Sequence, residues 1–160
     1  MGGIEYSFLS SLNQDSNDLK YSDALRIGVF VDRGIPFGMS LDFGFLNKEK
    51  QRYTRFGIFN FGKQPKISID SSVGTYYRAE LLGFNWKEGG DFDYSPGLEL
   101  GVTFPFSAEY GIALFSKITL EANNSGGDKH WGQEDGPKGI FWLGLSLLQM
   151  NHYRAAVSPE

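Results

Sequence analysis

The sequence predicts an all-β fold, a closed antiparallel up-and-down barrel of eight strands. Three features support this. Apolar and polar residues alternate with period two over about eight stretches, the connections alternate long and short, and the polar face mixes glycine with both signs of charge. Period two indicates strands, because successive side chains on a strand point to opposite faces. Tilted strands lose their unpaired edges by closing into a barrel.

The hairpin over residues 98–121 is the clearest element. Its first arm places Leu98 and Leu100 on one face and Glu99 on the other, and its second arm, over 111–121, alternates in the same way. The polar turn between the arms is short. The stretch therefore predicts two long strands that share one apolar face.

The remaining strands follow in chain order, and we predict them over 4–12, 24–32, about 39–45, 53–61, 66–86 and 139–150. Both faces of the strand over 53–61 carry aromatic residues, and we place Arg55 and Gly57 on its polar side. Long connections are predicted over 13–23, 47–52, 87–96 and 122–138. Short ones are predicted near 33–36, 62–65 and 105–110. In a meander, all the long connections would lie at one end of the barrel.

Composition limits the function classes. The 160 residues predict one domain over 1–150, followed by a tail over 151–160. The net charge of -4 disfavours nucleic-acid binding, and the lack of Cys excludes disulfides and thiol-bound zinc. No apolar run approaches the roughly 20 residues of a spanning helix. We expect that a signal peptide has been removed.

The polar face predicts a barrel interior. A face in water would be rich in Lys and Glu and poor in glycine, whereas this one interleaves small residues with opposite charges. A narrow barrel holds only its own side chains, and isolated buried charges are costly, so these charges must pair. The predicted interior charge network comprises Glu5, Arg26, Asp42, Arg55, Asp70, Arg78, Glu80, Glu99, Lys117 and Glu121.

The opposite face is nearly free of charge over about nine residues per strand, which is the spanning length of a tilted strand. We therefore predict that this face points outward to lipid. Aromatic residues near the strand ends are typical of interfacial girdles. The predicted interfacial aromatics are Tyr6, Tyr77, Trp86, Phe104, Phe106, Tyr110, Trp131 and Trp142.

In this pattern and topology, residues 4–150 resemble the small eight-stranded outer-membrane barrels of the OmpA transmembrane-domain and OmpX type. The resemblance implies a bacterial outer membrane, termini in the periplasm and long loops outside. Because the predicted charge network would fill the lumen, we expect a structural, adhesive or loop-presenting role without a large open pore. The expected partners are a lipid bilayer or detergent and an extracellular ligand at the loops. We expect a monomer without a cofactor.

Two alternatives remain. A soluble lipocalin- or calycin-like barrel would turn its apolar face inward around a hydrophobic small molecule. An outer-membrane lipid-modifying hydrolase is suggested by His152-Tyr153, but Arg154 and Ala155 follow where a serine would be needed. The loop around His130 lacks any metal-ligand spacing, so a solvated loop explains it better. We therefore predict no catalytic, cofactor-binding or metal site, and no enzyme.

Overall fold

The structure, a computed structural model, describes residues 2–15, 18–32, 36–46, 51–66, 73–87, 92–121 and 138–151. Within these ranges the chain forms nine strands: β1 Gly2–Asp15, β2 Asp18–Asp32, β3 Pro36–Leu46, β4 Gln51–Lys63, β5 Gly74–Lys87, β6 Phe92–Tyr94, β7 Gly97–Pro105, β8 Tyr110–Glu121 and β9 Lys138–Asn151. Among the described residues, no helix is long and apolar enough to cross a membrane.

The sheet closes on itself. Its strand order is β4-β3-β2-β1-β9-β8-β7-β5, and β4 also pairs with β5, with every pair antiparallel. The short β6 pairs with the same edge of β5 as β7 does, and only Ser95 and Pro96 separate β6 from β7. The Ser95 N–H donates to the Gly83 carbonyl at 2.7 Å. We count β6 and β7 as one interrupted strand, so the predicted closed barrel of eight strands is confirmed.

The two faces of the sheet differ sharply. Outward-pointing side chains are apolar and exposed, as on β2 and β9, where they include Leu25, Ile27, Val29, Val31, Leu143, Leu145 and Leu147. Inward-pointing side chains are buried and include the charged residues of seven strands. The apolar surface of this fold therefore lies outside and the polar surface inside, the reverse of a water-soluble domain.

Two β-bulges shift the alternation in β4 and β5. Leu81 of β5 has no pairing partner on β4, which shifts the register by one residue, and the unpaired Asn60 of β4 shifts it back. A bulge adds an unpaired residue, so the side chains beyond it change face. Trp86 therefore points outward and is 48% exposed. The buried residues of β5 fall at even positions before the bulge and at odd positions after it: Tyr76, Arg78 and Glu80, then Gly83 and Asn85.

The connections differ from the predicted lengths. β1 and β2 stay paired as far as Asp15 opposite Asp18, so the long loop predicted over 13–23 is wrong. β4 extends to Lys63, so the turn predicted at 62–65 overlaps the end of that strand, and the described part of the strand predicted over 66–86 is β5, from Gly74. Residues 67–72, most of 122–138 and the tail over 152–160 lie outside the described residues.

Candidate functional site: the charged lumen

Eight charged side chains occupy the lumen, the interior of the barrel. Each is at most 2% exposed. Seven strands supply them: Glu5 from β1, Arg26 from β2, Asp42 from β3, Arg55 from β4, Arg78 and Glu80 from β5, Glu99 from β7 and Lys117 from β8. Four bases face four acids, so the described network is electrically balanced.

Arg78 spans the lumen from β5 to β1. Its Nη1 and Nη2 atoms donate to the two carboxylate oxygens of Glu5 at 2.9 and 2.6 Å. The Glu99 carboxylate lies 3.6 Å away. The guanidinium carbon lies 5.3 Å from the centre of the Phe30 ring and 5.0 Å from that of Tyr76. A bidentate carboxylate and two aromatic faces together fix the position of this guanidinium.

Arg26 on β2 forms hydrogen bonds both to the adjacent strand β3 and across the lumen to β7. Its Nε donates to Asp42 on β3 at 2.8 Å, and its Nη1 donates to Glu99 on β7 at 2.6 Å. Its guanidinium carbon lies 5.3 Å from the centre of the Phe115 ring. The Tyr76 hydroxyl donates to the other Glu99 oxygen at 3.0 Å. Arg26 and Arg78 therefore share Glu99 as a bridging acid.

Glu80 bridges the remaining two bases. It accepts a hydrogen bond from Arg55 and another from Lys117, the latter at 2.8 Å. Arg55 also donates to the Ser95 carbonyl at 2.7 Å, and Asp42 lies 3.7 Å from both bases. Because Asp42 also binds Arg26, all eight charges form one continuous network.

Glycines provide the space for these large side chains. A Cβ atom on Gly28 would lie 2.6 Å from the Glu5 carboxylate. Gly101 faces Tyr76 across β7 and β5, and Gly144 faces Phe115 across β9 and β8. Cβ atoms at these two positions would lie 2.2 and 2.0 Å from the ring carbons. The aromatic rings thus lie flat across the strand opposite, where only glycine fits.

Apolar side chains close the network on both sides. At the terminal end, where β1 begins and β9 ends, Phe30 and Met150 pack over Gly3. At the loop end, where β8 ends, Leu9 lies in register with Ala24, and both are at most 3% exposed. The charges therefore sit in the middle of the barrel, away from water at either mouth.

The structure corrects one predicted aromatic. Trp142 was expected at the interface, but it is only 3% exposed and its Nε1–H donates to Thr119 Oγ1 at 3.1 Å inside the barrel. Tyr6, Tyr77 and Tyr110, like Trp86, are exposed on the outer face, Phe106 is exposed in the turn between β7 and β8, and Phe104 is half-buried. Asp70 and Trp131 lie outside the described residues, and the side chain of Glu121 is not described.

Sequence reasoning missed several interior residues. Tyr76 and Phe30 were not assigned to the lumen, and neither were the polar groups of Ser95 and Gln64. The sequence could have indicated that Tyr76 and Phe30 point inward, because each pairs with a glycine on the neighbouring strand. Tyr76 pairs with Gly101, and Phe30 pairs with Gly38. Among the described residues, no three His, Asp or Glu side chains are grouped to hold a metal ion.

The architecture defines a class. A closed eight-stranded antiparallel barrel with an apolar outer surface and a charge-filled lumen has the architecture of a small outer-membrane barrel. The crystal structure of Neisserial surface protein A, an eight-stranded outer-membrane barrel, superimposes with a TM-score of 0.58 and 14% sequence identity, over 92% of this chain and 94% of that one. This similarity confirms the predicted fold-level resemblance. The sequence matches no protein-family model and no curated protein.

Proposed function

We propose that this protein spans a bacterial outer membrane as a small, non-porin barrel and presents its loops at the cell surface. The apolar outer band is the observation on which the proposal rests. At the described outward positions, charges occur near the ends of the barrel, with Asp23 and Arg52 at the loop end and Lys63 and Glu109 at the terminal end. Between these limits, the outward side chains that the structure describes carry no charge.

The height of the band fits a bilayer. On β8 it covers eleven residues from Tyr110 to Leu120, which are ten residue-to-residue steps along the strand. At about 3.4 Å per residue and a tilt of about 45°, this gives about 24 Å, close to the roughly 25 Å of a spanning barrel. Exposed aromatics near both limits, Trp86 at the loop end and Tyr110 at the terminal end, fit the two interfaces.

The filled lumen supports a role without transport through a pore. The balanced charges bind one another across the barrel, and apolar layers lie on both sides of them. We infer that function resides in the surface loops, above all residues 122–138, in a structural, adhesive or ligand-presenting role. The similarity to a protein described as a Neisserial surface protein supports this location. β1 begins and β9 ends at the barrel end opposite residues 122–138, so we infer that this end faces the periplasm.

Two measurements on the refolded protein test this proposal. We expect a folded monomer only in detergent or lipid, because the outer band is apolar, and no steady large conductance in planar bilayers, because the lumen is filled. A monodisperse monomer in detergent-free buffer would refute the membrane assignment. A large, steady single-channel conductance would refute the closed lumen.

The soluble lipid-carrier alternative fits poorly. Such a barrel needs an apolar interior, whereas eight charges fill this lumen and side chains such as Leu25 are 63% exposed on the outside. The hydrolase alternative depends on His130 and His152, which lie outside the described residues. We infer that the protein is not an enzyme. Incubation with phospholipid or lipopolysaccharide, followed by mass spectrometry, should reveal no turnover; turnover lost in His152→Ala would favour the hydrolase.

A further inference from the structure

The chain turns inward as it leaves β4. Gly62 has a φ of +121°, a conformation that favours glycine, and a Cβ atom there would lie 2.1 Å from the Tyr77 carbonyl oxygen. The next residues do not continue along the rim of the barrel. Gln64 is 0% exposed and Pro65 is also buried. The backbone conformation of Gly62, close to the end of β4, therefore directs the segment after Lys63 into the barrel mouth.

This segment reaches a strand that is not the neighbour of β4. The buried hydroxyl of Thr103, on the inner face of β7, donates to the Lys66 carbonyl at 3.1 Å. β5 lies between β4 and β7 in the sheet. On β5, Gly74 leaves room, since a Cβ atom there would lie 3.3 Å from the same carbonyl. Gln64–Lys66 thus crosses the inner side of the barrel wall at the terminal end of the lumen.

The docked segment carries an energetic cost. Neither the nitrogen nor the oxygen of the Gln64 amide has a hydrogen-bond partner among the described residues. A buried amide without partners loses its hydration and gains nothing in return. The hydrogen bond from Thr103 opposes this cost. The buried amide and the hydrogen bond thus act in opposite directions on the free energy of docking.

We propose that Gln64–Lys66 is a latch that reversibly covers the terminal mouth of the lumen. In the docked state it shields the lumen at that end. In the released state the Gln64 amide regains water and the mouth opens to the solvent on that side. The charged network above the latch stays paired in both states, so release opens a vestibule rather than a pore.

The 160 residues contain no cysteine, which allows a direct test. A single thiol is introduced as Pro65→Cys, and its reaction with a water-soluble maleimide is followed in the folded protein. When docking is fast, the labelling rate follows the released fraction. Thr103→Val removes the donor and should raise the rate by about 2- to 12-fold, the range that one net hydrogen bond supports. Gln64→Leu removes the unpartnered amide and should lower the rate at least about fivefold.

Controls separate release from general loosening. Lys63→Cys is exposed and should label rapidly in every background, whereas Ser146→Cys, buried in mid-barrel, should stay unreactive. Gln64→Cys gives a second reporter for Thr103→Val if Pro65→Cys fails to fold. The proposal is overturned if Pro65→Cys reacts as fast as Lys63→Cys in the parent or if neither substitution changes its rate. It is also overturned if Thr103→Val accelerates labelling of Ser146→Cys equally.

Discussion

Removal of Arg78 should be among the most destabilising single changes in the lumen. Its guanidinium is 0% exposed, binds both oxygens of Glu5 and lies 3.6 Å from Glu99. Arg78→Met keeps much of the side-chain volume. Among the described residues, Glu5 would then have Arg26, 3.9 Å away, as its nearest cation. Breaking a buried pair from one side costs about 3–5 kcal/mol, so we expect a loss in this range.

The double variant Glu5→Gln/Arg78→Met makes the test specific. It removes one charge of each sign, so the lumen keeps three bases and three acids. The double variant should lose about 1–3 kcal/mol less in the free energy of unfolding than the sum of the two single variants. Each single variant leaves one charge of the Glu5–Arg78 pair without its main partner, whereas the double variant leaves neither. Urea unfolding in micelles, followed by tryptophan fluorescence, gives these free energies. The exposed Lys63→Met serves as control and should change stability by less than about 0.5 kcal/mol. Strict additivity, or Arg78→Met within about 1 kcal/mol of the parent, would refute the pairing.

Two further predictions concern the packing inside the barrel. Gly144→Ala should lower the free energy of unfolding by about 1–3 kcal/mol, because the new Cβ would lie 2.0 Å from the Phe115 ring. Phe115→Leu in the same chain should recover part of that loss. Urea unfolding measures both changes, and a neutral Gly144→Ala would contradict the close contact. Trp142→Phe removes the donor to Thr119 and should lower the free energy of unfolding by about 1–3 kcal/mol. The fluorescence of Trp142 should resist quenching by acrylamide, whereas that of Trp86 should be quenched by brominated lipid. The opposite quenching pattern would place Trp142 outside.

Period-two alternation was enough to predict which residues enter the lumen on most strands. Arg26 and Asp42 alternate with apolar neighbours and face each other across β2 and β3. Trp142 shows what happens when alternation is ignored. Phe141 and Leu143 point outward, so Trp142 between them must point inward, yet it was assigned by the preference of tryptophan for strand ends. The position of a residue in the alternating pattern therefore predicts whether it points inward or outward better than its amino-acid type does.

Other features could not be read from the alternation. The bulge at Leu81 reverses the parity of β5, and no local residue pattern announced it. The pairing of Arg78 with Glu5 joins residues 73 apart, because closure brings β1 and β5 to opposite sides of one narrow lumen. The lengths of the connections were misjudged where polar residues continue a strand, as at Asp15 and Asp18. Polar composition is compatible with both a loop and a strand.

The most direct test of the membrane barrel is the stability of Leu114→Arg in lipid vesicles. Leu114 is 51% exposed at the middle of the outer band on β8, and Leu120 on the same strand lies at its limit. A charge at mid-bilayer costs about 2–4 kcal/mol, and one near the interface about 0–1 kcal/mol. We therefore predict that Leu114→Arg loses about 2–4 kcal/mol in the free energy of unfolding while Leu120→Arg is nearly neutral. Equal and negligible losses at both positions would mean that the apolar face does not meet lipid.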